Sequence, residues 1–300
     1  FDNGKTRAIN VVMKRDIAEC EHFTSELGPG QWYDFSTPYG YGGFLIEGTD
    51  ISELDAAYTH YCRQDNIVSE FVRFHPIVGN SNVACGMYDI RIAGKTVHID
   101  LQSSSAIWSN FTGKNRNAIR KAVKSGVEVY CGRSPELFSR FQDLYDQTMG
   151  ELGATRYYYF EDGFYDSILR DLRHNSMVFY ATLGERIIAM SMVLFCNEQM
   201  HYHLSCSDRE FRAYAATNLL LYEVALWGHE NGFKSLHLGG GVGGQEDSLY
   251  QFKRSFNRQS ENRFAIGAKV FNEVVYNWLV ETRKAKGSAL RSDFFPLYRA

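Results

Sequence analysis

Apolar and polar residues alternate along Met177–Leu183, Arg186–Phe195 and Met200–Ser207, the period of a strand with one buried face. The next segment, Ala215–Glu230, changes period. There Leu219, Leu220, Tyr222, Val224, Ala225 and Leu226 form a wide apolar face at helical spacing. A strand Ser235–Leu238, a glycine-rich loop, a helix Ser248–Phe256 and a strand Arg263–Val270 follow, and an amphipathic helix from about Asn272 to Lys284 comes last. Helices Pro135–Leu152 and Phe164–Arg173 precede these elements. The first half predicts strands Ile9–Lys14 and Gln31–Ser36, a glycine-rich loop, helix Ile51–Gln64, and strands Val68–Phe74, Met87–Ile92 and Thr96–Gln102. Two helical segments flanked by basic residues then lead to strand Val127–Cys131.

The halves share an order of strand, loop, helix and strand, once over residues 31–74 and again over 200–238, with little residue identity between them. The expected fold class is α/β (α+β), with two tandem domains, each a mixed, mainly antiparallel sheet flanked by helices. The first domain is expected over residues 1–125 and the second over 126–270. The basic segment Lys114–Ser125 forms their junction, and residues 271–300 return to complete the first domain. The chain opens at Phe1 inside ordinary domain sequence, so residues upstream of it are expected.

Composition narrows the function. The 300 residues are 44% hydrophobic and 22% charged, enough to bury a substantial core, and no apolar run reaches the roughly 18 residues of a membrane span. The net charge of −3 provides no global attraction to nucleic acid, so a polyanionic partner requires a local basic patch. The six cysteines are scattered without a CxxC pair, which fits reduced thiols in a cytoplasmic protein. The 19 tyrosines suit either binding clefts or β-rich cores.

The segment Lys114–Ser125 supplies a local patch. As a helix it turns Ala118, Ile119, Ala122 and Val123 to one side and stacks Arg116, Arg120 and Lys124 one turn apart. Phosphates laid across them, or a solvated face paired with acids, are both consistent with that spacing. The polar loop Asp208–Tyr214 runs into a helix N-terminus, which suits a phosphate or an oxyanion as well as an ordinary connection. Tyr39–Gly43 sets aromatic rings between glycines, and Arg73, His75 and Asp100 end or occupy neighbouring strands, where Asp100 suits either deprotonation of an amine or an ion pair with Arg73. Gly239-x-Gly241-x-x-Gly244 spells a dinucleotide signature too late in its domain for that fold. His201, His203 and His237 lack a carboxylate or cysteine at ligand spacing, so they read as hydrogen-bonded core or cleft residues and no metal is expected.

Three motifs carry a resemblance. Tyr214, Asn218-Leu219-Leu220, Gly232, Leu238-Gly239-Gly240 and Leu249-Tyr250-Gln251-Phe252-Lys253 make the first. The second is Lys114–Ala122 followed by Gly126-Val127, and the third is Tyr39-Gly40-Tyr41-Gly42-Gly43. In this order they resemble the Fem aminoacyltransferases of the GNAT acyltransferase superfamily, which implies two GNAT-like domains. The implied reaction moves an aminoacyl group from aminoacyl-tRNA to an amine, such as that of a peptidoglycan-precursor peptide or a nucleotide-linked cell-wall precursor, with transient contact to a membrane surface. The catalytic candidates are Lys253 and Tyr214, which lie in these motifs, and Asp100, from its strand position alone. Those implied for substrate binding are Tyr39, Tyr41, Gly42, Arg73, Arg116, Arg120, Lys121, Asn218 and Phe252. Residues Arg209–Ala216 contain no glycine, so the pyrophosphate signature of acetyl-coenzyme A users is missing and that donor is less favoured. The long coiled-coil insertion of some Fem enzymes is also absent.

No nucleophile elbow and no cysteine with an evident base partner is present, so direct attack of the amine on the donor ester, without a covalent enzyme intermediate or a cofactor, is expected. The alternatives are an N-acyltransferase using acyl-coenzyme A or an acyl carrier, and a noncatalytic protein that binds a precursor or RNA.

Overall fold

The computed structural model describes residues 1–287 and 290–300; Ser288 and Ala289, inside the expected closing segment, lie outside the described residues. In chain order the elements are β1 (Arg7–Ile9), β2 (Met13–Asp16), β3 (Tyr33–Ser36), β4 (Leu45–Glu47), α1 (Ile51–Gln64), β5 (Ile67–Arg73), α2 (Asn80–Val83) and β6 (Asp89–Asp100). Next come α3 (Ser104–Asn110), α4 (Gly113–Lys124), β7 (Val127–Gly132), α5 (Pro135–Glu151), α6 (Asp162–Asp171), β8 (Ser176–Leu183), β9 (Arg186–Cys196) and β10 (Gln199–Ser207). Then α7 (Ala216–Glu230), β11 (Ser235–Gly239), α8 (Ser248–Arg254), β12 (Asn262–Val270) and α9 (Glu273–Ala285) complete the chain. Side-chain caps fix many helix starts: Asp50, Ser103, Thr112, Ser134, Asp247 and Asn272 each accept a backbone N–H of the first turn.

Two compact units emerge, Phe1–Gly94 with Arg263–Ala300, and Lys95–Asn262. The expected boundary after Ser125 is therefore displaced to Gly94/Lys95. The reason is packing: Ile119 and Ala122 of α4 are buried in one cluster with Leu220 and Val224 of α7, so the basic segment belongs to the second core and is no linker. Residues 263–270, expected in the second domain, join the first, because β12 pairs antiparallel with β5.

In the first unit β2 and β3 run antiparallel, β3 and β5 parallel, and β1 and β4 form a separate antiparallel pair. The expected strand Ile9–Lys14 is thus split, its two ends pairing with different partners across Asn10–Val12. Tyr276, Leu279 and Val280 of α9 pack with Ile17, Phe23 and Val68, so the closing segment does complete this core. Two buried carboxylates tie it together. Asp34 accepts from Arg15 at 2.7 Å, Arg299 at 2.5 Å and the Tyr298 hydroxyl at 3.0 Å. Glu70 accepts from Asn10 at 2.8 Å, Tyr58 at 3.0 Å and Tyr88 at 2.8 Å, while burial raises its pKa.

In the second unit the strand order is β6, β11, β10, β9, β8, β7. The expected strands Met87–Ile92 and Thr96–Gln102 merge into β6, whose extended backbone runs through Gly94 without a break. All neighbours here are antiparallel except β10 and β11, and that parallel pair requires the crossover helix α7. α7 lies on one face, where Gly228 lets it settle: a Cβ there would come within 2.5 Å of the Met200 sulfur. α5 and α6 cover the other face, with Phe141, Leu144 and Tyr165 against Val178, Met190, Met192 and Leu204.

Replacing Asp34 by alanine leaves two cationic side chains, 33% and 16% exposed, without their counter-ion. We expect a loss of about 3 kcal/mol in urea unfolding, and a loss under about 1 kcal/mol would remove the network from the stabilising interactions of this unit.

Candidate functional site

The parallel pairing of β10 with β11 covers Gln199–His201 and Ser235–His237 and then stops, although β10 continues to Ser207. Both strands bulge at that point: β10 between Tyr202 and Leu204 against β9, and β11 between His237 and Gly239 against β6. A bulge bends a strand and increases its twist, so the pair forks. Beyond the fork β10 has no strand neighbour on its β11 side among the described residues, and at its far end the Ser207 N–H donates to the Thr148 hydroxyl at 3.2 Å instead.

A row of imidazoles crosses the sheet at the fork. His237 stands opposite His98 of β6 and beside His201 of β10, and the Nδ1 atoms of His201 and His237 are 3.1 Å apart. One ring must donate and the other accept, so the pair shares a proton. His203 sits 6.0 Å from His201, ring to ring, and burial pushes its pKa down to about 4. His98 is anchored by Ser260 at 3.1 Å and Asn262 at 2.9 Å, and burial lowers its pKa as well. Neutral imidazoles beside a cleft can take a proton from an ammonium group. The spacing of His201 and His203 on one strand was legible as a shared face, but His98 was missed. Its signal is alternation out of phase with the buried Val97, Ile99 and Leu101. Among the described residues no group of His, Cys, Asp and Glu is arranged to hold a metal ion.

Lys253 occupies the open side of the fork. Its side chain extends from α8 to the loop after β11, where Nζ donates to the Gly240 carbonyl at 2.6 Å. The residue is 9% exposed, makes no carboxylate ion pair among the described residues, and burial pushes its pKa down to about 8 against the opposing charge of Asp247. The glycines beside it are packing requirements. A Cβ on Gly240 would approach the Lys95 carbonyl oxygen to 2.6 Å, and Gly239 has φ +79 with Nζ 3.3 Å from where its Cβ would stand. These contacts account for the glycine run without a dinucleotide. Phe252 packs edge-on to Phe256 at 5.3 Å.

The donor-side expectations divide. The β10–α7 connection is a 3-10 turn, Arg209–Tyr214, in which Asp208 already accepts the Glu210 N–H at 3.0 Å and pairs with Arg186 at 2.7 Å. Tyr214 is half-buried against Phe211, ring to ring at 5.9 Å. Ala215 takes a left-handed conformation at φ +55, and no side chain caps α7. Asn218 donates to Asn115 at 2.8 Å and so ties α7 to α4. Asp100 lies opposite Ser235, at the closed end of the fork, and its carboxylate accepts the Gln102 N–H at 2.9 Å. The structure therefore does not bring Asp100 to Lys253.

The basic helix also divides. Arg116 donates to the carbonyls of Trp108, Ser109 and Phe111, closing the end of α3, so it is a structural cap. Arg120 covers the Trp108 ring at 5.2 Å and donates to Asn117, while Lys121 and Lys124 are exposed. In the first unit, Tyr41 packs between His75 and Phe264 at 5.4 and 5.5 Å, and the Arg73 guanidinium lies 5.6 Å over Phe264. The Gly42 N–H donates to the Arg73 carbonyl at 2.8 Å, and Tyr39 is exposed. These four residues do come together.

Residues 109–254 match the family of acetyltransferase (GNAT) domains. This stretch is a GNAT domain. No curated protein sequence matches the chain. Among solved structures the chain is similar to FemX, at 12% identity over 93% of this chain and 88% of that one, with a TM-score of 0.67. It is also similar to the C-terminal domain of a putative lysylphosphatidylglycerol synthetase from Agrobacterium fabrum, at 12% identity, 93% and 85% coverage and TM-score 0.60. A third similar structure is L-PGS from Bacillus licheniformis, at 14% identity, 85% and 82% coverage and TM-score 0.56. At such identities the likeness is one of fold, and it is the Fem-like, GNAT-type fold that the three motifs imply. Among the described residues no helix is long and apolar enough to cross a membrane.

The depressed Lys253 has a measurable consequence for the GNAT domain. The folded chain releases this proton near pH 8 and the unfolded chain near 10.5, so folding carries a penalty below pH 8 that fades as pH rises between those values. The unfolding free energy of the native protein, measured against Lys253→Met, should climb across that window. A difference that stays level there would show that burial does not depress this amine.

Proposed function

We propose that the protein is an acyltransferase that moves an aminoacyl group from aminoacyl-tRNA to an amine, of which a cell-wall precursor peptide is one candidate. The observation that carries the reading is the fork between β10 and β11 with buried Lys253 at its open side. The FemX-like fold supports it, and so does the likeness to a structure named lysylphosphatidylglycerol synthetase, since a lysyl group is itself an aminoacyl group.

In the proposed step the acceptor ammonium gives a proton to the His201–His237 pair, and the neutral amine attacks the ester carbonyl of the donor. The oxyanion is held by the Lys253 ammonium at the open side of the fork. A C–N bond forms, the ester C–O bond breaks, the attacking nitrogen's second proton passes to the departing ribose oxygen, and the histidine pair releases the first to solvent. Tyr214 and Phe252 border the donor side, and the cluster of Tyr39, Tyr41, Gly42 and Arg73 is an acceptor-binding candidate of the first unit. Asp100, at the closed end, is left without a part in the step.

A second reading, an acyl-coenzyme A donor, is favoured by one feature, the uncapped N-terminus of α7, where helix dipole and N–H groups suit a diphosphate. Against it, the preceding turn Arg209–Tyr214 contains no glycine to let a diphosphate approach its backbone.

Labelled aminoacyl-tRNA and labelled acetyl-coenzyme A, each offered with a panel of amine acceptors, separate the two. Amine-dependent consumption of the tRNA ester is the expected result, and preferential use of acetyl-coenzyme A would overturn the assignment. Lys253→Met should lower kcat/KM on the order of a hundredfold, the effect of removing one oxyanion donor, with the melting temperature retained.

A further inference from the structure

On the second unit, α3, α4 and α7 border an open, shallow cavity of about 430 Å³ lined by Trp108, Ile119, Arg120, Val123, Lys124 and Tyr222. Its chemistry has two parts. Inside are two aromatic rings, Trp108 and Tyr222, 5.1 Å apart, with the aliphatic Ile119 and Val123 beside them. At the rim are cations. The Arg120 guanidinium carbon stands 5.2 Å over the centre of the Trp108 ring, Lys124 lines the opening, and Lys121 is exposed on the same helix. Among the described residues none of these three cations makes a salt bridge, and Glu223, next to Tyr222 in the chain, does not line the cavity. Arg120, Lys121 and Lys124 therefore keep their charge available on a chain whose net charge is −3.

We infer that this cavity and its rim are a nucleic-acid contact, receiving an unstacked base against Trp108, Arg120 and Tyr222 and holding the flanking phosphates on Lys121 and Lys124. Planar bases stack on aromatic rings and on guanidinium planes, and phosphates pair with lysines beside them. The inference rests on the proposed function, in that the polynucleotide is the tRNA of the donor. The same cations could face anionic lipid. Nucleic acid fits better, because the rim is cationic and on these three helices Val123 alone is an exposed large apolar side chain. A membrane-inserting face instead presents a continuous apolar stripe outward.

The test uses fluorescein-labelled deacylated tRNA and anisotropy over a range of salt, with Val123→Glu, Lys124→Ala and Lys124→Arg as variants whose folding is checked by circular dichroism. Val123→Glu and Lys124→Ala should each weaken binding roughly tenfold, and Lys124→Ala should reduce the slope of log K against log salt by about one. Lys124→Arg should restore most of the affinity. Unchanged tRNA affinity in both weakened variants overturns the inference. So does the absence of tRNA binding alongside variant-sensitive binding to vesicles of phosphatidylglycerol and phosphatidylcholine, which would make the face a membrane contact. Transfer from aminoacyl-tRNA is assayed in parallel. Variant-sensitive tRNA binding without amine-dependent transfer leaves the surface standing and removes the proposed reaction. Transfer by a protein whose variants bind tRNA normally does the reverse.

Discussion

The second unit is organised around one interrupted ladder. Parallel strands β10 and β11 begin in register and part after His201 and His237, each bent by a bulge. A parallel pair needs a crossover, and the crossover helix α7 is apolar around most of its girth because it is packed against the sheet along its length. The fork then determines where chemistry can happen. An interrupted ladder leaves an edge inside the sheet, and the proposed reaction places its substrate chain at that edge. The histidine row and Lys253 lie at its two sides, one able to accept protons and the other bearing a positive charge that burial makes easier to lose.

The first unit solves a different problem. Two carboxylates, Asp34 and Glu70, are buried in a small core, and each is surrounded by donors. A buried charge without partners would unfold a unit of this size, whereas a saturated one fixes the register of the elements that contribute to it. Asp34 joins β3 to the end of the chain through Tyr298 and Arg299, which is how residues after α9 become part of a core begun near the N-terminus.

Most of the elements were legible because periodicity reports burial of one face, and burial is what the sheets and helices of the second unit share. Where the reading went astray, a long-range partner decided. The stretch around Gly94 looked like a break, yet strand β6 runs through it. Ile9–Lys14 looked continuous, yet β4 and β3 claim its two ends. The site was harder. Charge spacing on α4 is visible in sequence, but whether a guanidinium faces solvent or caps a neighbouring helix depends on where that helix ends, and α3 ends under Arg116. Asp100 and Lys253 sit on elements joined to the same strand, β11, at opposite ends of it. Motif order contains no information about which end. His98 has no partner histidine within its own strand, and only the β6–β11 register sets it across from His237.

The closed end of the fork is held on several sides. The Lys234 N–H donates to the Glu198 carbonyl at 2.7 Å, the Leu101 N–H donates to the Lys234 carbonyl at 3.0 Å, and Gly228 seats α7 directly on Met200. The mouth therefore widens from a fixed apex at the spacing of neighbouring strands, about 4.8 Å. An extended molecular arm entering such a wedge meets a ready template: it can lie alongside β10 as a surrogate strand and take up the hydrogen bonds that β11 has relinquished. Under the proposed reaction, recognition of that kind would read the linearity of the arm before any side group.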